Sequence, residues 1–109
     1  DGGTYDFLIE FPNGECTLYD FKSSNHVQFT HFVQLAAYKY ALENFYNKKI
    51  TKIGVLQLDK AHPACYEYLI DSAIEANQYF IMDCTNCFFS LLYSFYNLHQ
   101  VNNGFNTQL

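Results

Sequence analysis

The chain has 109 residues, which suits a single domain over 1–109 and excludes two. Half the residues are apolar, 19% are aromatic and only 16% are charged, a balance that builds a core and excludes a disordered polar chain. The net charge is −5, with six lysines and no arginine, so composition supplies no basic stripe for nucleic acid and any such role rests on a local site.

The chain opens at Asp1-Gly2-Gly3 and enters a strand-like run at once, which reads as a piece of a longer protein truncated at its N-terminus. Residues 4–11 are rich in aromatic and β-branched side chains, and 16–23 follow across Pro12-Asn13-Gly14-Glu15. Asn-Gly between two such runs predicts an antiparallel hairpin. Period-two alternation puts Asp6 on a face with Leu8, and Leu18 with Asp20, while Tyr19 and Phe21 share the other face. A solvated aspartate would not choose that company.

Ser23-Ser24-Asn25 offers a helix cap. From about Val27 to Lys49, Phe29, Phe32, Val33, Ala36, Ala37, Tyr40, Ala41 and Phe45 recur at helical spacing, with Lys48 and Lys49 suited to the negative end of the dipole. Residues 52–58 then read as a strand and 66–70 as its return, a helix from Pro63 being the competing reading. From about Ser72 to Gln100 the spacing is helical again, with Thr85-Asn86 as a possible break, and 101–109, with three Asn and a Gly, read as a flexible tail. The expected architecture is an α/β fold of α+β type: a small, mainly antiparallel sheet with packed helices, in the order β-β-α-β-β-α.

Chemistry concentrates on Asp6, Asp20 and Lys22. Asp20 and Lys22 lie two apart on one strand, and the hairpin sets that strand beside Asp6. Two carboxylates with backbone carbonyls and water form the oxygen set that Mg²⁺ selects, and a lysine supplies positive charge where a phosphate under attack becomes more negative. The competing reading is a cross-strand salt bridge. Gln34 and Tyr38 lie four apart on the following helix and project side by side.

Gly3-Thr4-Tyr5-Asp6, Asp20-Phe21-Lys22-Ser23-Ser24 and Gln34-Leu35-Ala36-Ala37-Tyr38 resemble, in order, the G-x-x-D, D-x-K-[TS]-[ST] and Q-x-x-x-Y motifs of the PD-(D/E)XK nuclease superfamily, in its RecB-like exonuclease branch. The resemblance covers residues 3–38 and implies a restriction-endonuclease-like core. It further implies that Asp6 and Asp20, with the Phe21 carbonyl, hold Mg²⁺ or Mn²⁺, that Lys22 is the catalytic lysine, and that Gln34 and Tyr38 contact DNA. Family members carry an upstream helix whose Glu or His completes the metal site, and nothing precedes Asp1 here. The expected activity is therefore hydrolysis of DNA phosphodiester bonds, exonuclease-like, by the full-length protein. The alternatives are a non-catalytic nuclease-like module that binds a partner protein or nucleic acid, and a structural domain whose Asp/Lys patch is an ion-pair network.

Other features are weaker. Cys84-Thr85-Asn86-Cys87 has zinc-like spacing without a second pair, and four cysteines are too sparse for a disulfide scaffold. That usage, with no signal peptide and no apolar run of about 20 residues, makes the cytoplasm the expected location and a membrane an unexpected partner. His26 and His31 flank the start of the first helix, either to contact phosphate or simply as polar helix-start residues.

Overall fold

A computed structural model describes residues 6–23, 26–59, 61–62 and 64–108, with the backbone alone at Asp6. The elements are β1 (Asp6–Glu10), β2 (Glu15–Lys22), α1 (Phe29–Phe45), β3 (Lys49–Asp59), β4 (Ala64–Asp71) and α2 (Glu75–Gln108). They form one four-stranded sheet in the order β1-β2-β3-β4. β1 and β2 are antiparallel, as are β3 and β4, but the central pair, β2 with β3, is parallel. The sheet is thus mixed rather than simply antiparallel. The cause is α1, which carries the chain back across the sheet before β3 begins and so closes a parallel βαβ unit.

The hairpin forms as its turn residues require. Gly14 takes φ 86°, the Gly14 amide donates to the Phe11 carbonyl at 2.8 Å, and Phe11 in turn donates to Glu15 at 2.8 Å. Only glycine accepts that φ without strain. The Asn13 side chain takes the Glu15 amide at 3.0 Å, so Asn13 acts through its carboxamide rather than through its own backbone freedom.

α1 starts later and ends earlier than its apolar spacing predicts. Gln28 is the cap residue, and its amide donates to His31 Nδ1 at 3.2 Å; of the predicted cap cluster, Ser24 and Asn25 lie outside the described residues. At the other end Asn47 turns left-handed, φ 54°, and the Lys48 amide bonds back to the Leu42 carbonyl at 3.1 Å. Lys48 and Lys49 therefore serve no helix dipole. They pair with Glu10 at 2.9 Å and Glu15 at 3.6 Å across the hairpin.

The core lies between α1 and the adjacent face of β2 and β3. Cys16, Leu18, Ile50, Ile53 and Val55 from the strands meet Phe32, Val33, Leu35 and Ala36 from the helix, with Ile81 and Cys84 of α2 at its edge. Leu35, absent from the predicted stripe, is fully buried, whereas Phe29 and Phe45, its predicted ends, are exposed. On the other sheet face Phe7 stacks on Tyr19, centroids 5.4 Å apart, and the Tyr19 ring lies across Gly54, where a Cβ would meet it at 3.0 Å.

β4 is a strand, not the helix that Pro63 allowed. α2 runs unbroken through Thr85, whose hydroxyl bonds back to the Ile81 carbonyl at 2.9 Å. It also continues as helix over 101–108, where composition predicts a tail. Among the described residues no helix is long and apolar enough to cross a membrane.

Candidate functional site

β2 positions the site. Its buried face runs Cys16, Leu18, Asp20, Lys22, two apolar side chains followed by two charged ones, all facing α1. The apolar pair is core. The charged pair sits where α1 begins, and the helix still covers it: Asp20 is 0% exposed and Lys22 4%. A surface location for Lys22, the ordinary expectation for a lysine on a small sheet, is therefore wrong.

Lys22 Nζ lies 3.1 Å from Asp20 Oδ2. The contact is ionic rather than a directed hydrogen bond, because neither Asp20 oxygen accepts a hydrogen bond among the described residues. A buried carboxylate normally gathers several donors, since desolvation costs several kcal/mol per ion. Among the described residues this one has the Lys22 cation beside Oδ2 and no hydrogen-bond donor on either oxygen. Position 6 is the cross-strand partner of Asp20 in the ladder, as hairpin geometry predicts, while the Asp6 side chain lies outside the described residues. Phe21 turns its ring to the opposite face, 39% exposed.

Two further residues join this end of the sheet. Gln57 of β3 stands opposite Lys22 in the parallel ladder, is 6% exposed and accepts from the Tyr68 hydroxyl at 3.3 Å. Sequence reading passed over it, although Ile53-x-Val55-x-Gln57 is a visible signal: an apolar face that ends in an amide. His31, in the first turn of α1, has its pKa lowered by burial and by the Lys22 charge, offset in part by Asp20. His31 takes the helix-start role and also lines the cleft beside Lys22. Its Nδ1 accepts the Gln28 amide, so the neutral ring carries its proton on Nε2.

A cleft of about 440 Å³ opens at this end, lined by Lys22, Gln28, Thr30, His31, Gln34 and Leu91 among others, with no acidic side chain among its described lining residues. Gln34 thus reaches the Lys22 cleft. Tyr38 does not; it lines an adjoining apolar groove of about 530 Å³ with Tyr40, Phe45 and Phe89, into which Gln34 also faces.

The remaining candidates lie apart. Cys84 is buried on the core side of α2 and Cys87 exposed; burial raises the Cys84 thiol pKa, as for an apolar packing residue. Among the described residues no group of three or more His, Cys, Asp and Glu side chains is clustered for a metal. Asp20 nevertheless fits a divalent cation by its donor chemistry: a fully buried carboxylate, neither of whose oxygens accepts a hydrogen bond among the described residues. No family model matches the chain, and neither a curated protein nor a solved structure matches it.

Proposed function

We propose that the chain carries the central part of a metal-dependent nuclease of PD-(D/E)XK type that hydrolyses DNA phosphodiester bonds. One observation carries the reading: Asp20 is wholly buried, neither of its oxygens accepts a hydrogen bond among the described residues, and the lysine beside it lines a cleft with no acidic side chain among its described lining residues. A protein that needs only a structural ion pair satisfies the carboxylate or leaves it in water. The order of the three sequence motifs supports the same reading.

In this reading Asp20, Asp6 and the Phe21 carbonyl hold Mg²⁺ or Mn²⁺. The chemistry such an ion supplies when bound is activation of water and neutralisation of the scissile phosphate. The chain's own residues do the rest. Asp20 places its carboxylate 3.1 Å from Lys22 Nζ in a buried place and so fixes the position of the amine. Lys22 places its own charge where negative charge develops on the phosphate oxygens, in a low-dielectric site where it counts for more than in water. His31, with Nδ1 occupied by the Gln28 amide, offers an Nε2 proton to a phosphate oxygen while staying neutral. Gln34, on the wall shared by cleft and groove, orients the strand, and Tyr38 in the groove contacts the nucleotide beyond.

The test is cleavage of labelled single- and double-stranded DNA by the full-length protein with Mg²⁺, Mn²⁺ or a chelator. Cleavage is expected only with a divalent ion, with a loss of about 10²–10³-fold in Lys22→Met, the usual effect of removing one transition-state donor. Robust cleavage by Lys22→Met removes the lysine from the mechanism. Absence of cleavage under every condition replaces the enzyme with a non-catalytic nuclease-like module that binds a partner protein or nucleic acid.

A further inference from the structure

Two hollows of different chemistry adjoin at Gln34. The cleft presents Lys22 and no acidic side chain among its described lining residues; the groove has no charged side chain among its own. At about 440 and 530 Å³ both are of ligand-binding size. Gln34 and Phe88 line both, so one ligand can fill the two together.

The groove follows from residue spacing. Gln34, Tyr38, Ala41 and Phe45 succeed one another at four, three and four residues along α1, which sets them in one row. Ala41 contributes only a methyl group and leaves the space between the rings open. From α2, Phe89 meets Tyr40 edge to face with centroids 4.9 Å apart, and Phe88 at 5.8 Å, contacts that hold the rings in place. A core would cover such a wall. Here Phe45 is 76% exposed, Tyr38 42% and Phe89 39%.

The combination selects the occupant. A lysine without acids beside it suits an anion, and a neutral aromatic wall suits a flat ring; a nucleotide joins the two in one molecule. A second copy of the chain or an apolar peptide would fill the groove and bring no anion to Lys22. Strand state is selected as well. Duplex binding draws mainly on phosphate charge, and this chain has a net charge of −5 with six lysines. Stacking is the means left to it, and bases within a duplex offer only their edges, whereas an unpaired base offers its faces to aromatic side chains.

We propose that the groove is a base-binding subsite and that the chain takes an unpaired DNA strand, with a phosphate beside Lys22 and a neighbouring base among Tyr38, Phe45 and Phe89. The proposal rests on the nuclease reading for the role of the Lys22 cleft, and binding in EDTA tests it apart from cleavage. Fluorescence anisotropy of the full-length protein, at low salt and up to about 100 µM, compares three labelled probes of about 16 nucleotides: an oligothymidylate, a blunt duplex, and an abasic strand with the same phosphates. The oligothymidylate should bind at least about fivefold more tightly than either of the others, the effect of one stacked base. Phe45→Ala and Phe89→Ala should each remove that advantage and leave the abasic strand bound as before, which a merely unfolded variant would not do. Phe105→Ala, at the far end of α2 and outside the groove, should change nothing. Equal affinity for the three probes, oligothymidylate binding that both groove variants leave intact, or no binding of any probe would overturn the proposal. A protein that shows the expected binding and cuts no DNA with Mg²⁺ or Mn²⁺ keeps the subsite and loses the nuclease reading; one that cuts DNA and binds duplex as tightly as single strand does the reverse.

Discussion

Two Lys–carboxylate pairs in this molecule have nearly the same length and opposite surroundings. Lys39 and Glu43, four apart on α1, meet at 2.9 Å with both side chains partly in water. Lys22 and Asp20, two apart on β2, meet at 3.1 Å with almost no exposure. Distance does not separate them; solvent does. At the surface, water competes for both ions and the pair contributes little. Under α1 water does not compete, and an acid that accepts no hydrogen bond among the described residues is retained at a cost that hydrophobic side chains would avoid. The contrast marks the β2 pair as the costlier of the two to bury, as the proposed site requires.

The largest effect should come from breaking the buried pair on one side. Lys22→Ala leaves Asp20 buried without its cation, and urea denaturation should show a loss of about 3–5 kcal/mol. A lysine on an open sheet face would have been dispensable to the fold, so this variant also separates the buried site from the surface site expected of such a strand. Replacing both partners, Asp20→Leu with Lys22→Met, should be neutral or stabilising by about 1–4 kcal/mol. If that double variant is as unstable as the single one, the pair is structural after all.

A smaller effect concerns pH. His31 titrates at a lower pH in the fold than in the unfolded chain, through burial first and the Lys22 charge second. The unfolded state therefore binds more protons between the two values. The stabilisation is complete above the unfolded value near 6.5 and is lost as pH falls through the lowered folded value. Stability of His31→Gln, followed against pH by chemical denaturation, should decline less steeply on the acid side than that of the parent. An identical acid limb would remove His31 from the neighbourhood of the Lys22 charge.

The smallest effect belongs to the exposed pair. Lys39→Ala should change stability by no more than about 0.5 kcal/mol, and less at high salt. A loss comparable to that of Lys22→Ala would end the distinction between the two pairs.

What was legible in the sequence was local. Asn13-Gly14 marks the hairpin, period-two alternation places Asp20 and Lys22 on one face, and element order follows from spacing. The hairpin also sets the second strand beside position 6, while the register itself, position 6 opposite Asp20, comes from the structure. What escaped depends on distant chain. That β2 pairs in parallel with β3 is decided by the return path of α1, which no window of residues contains. That Lys22 is buried follows from which sheet face α1 takes, and Gln57 enters the site only through that pairing. The length of α1 was misjudged because its C-terminal stop is Asn47 in a left-handed conformation, a weaker signal than glycine.

The central claim is that the Asp20 carboxylate is kept open for a divalent cation. Titration of the full-length protein with Mn²⁺, followed by calorimetry and by the electron paramagnetic resonance of free Mn²⁺, tests it without reference to catalysis. The account predicts saturable binding that is lost in Asp20→Asn, a variant that keeps the shape of the side chain and removes its charge. Binding of undiminished affinity in Asp20→Asn would put the ion elsewhere and contradict the account.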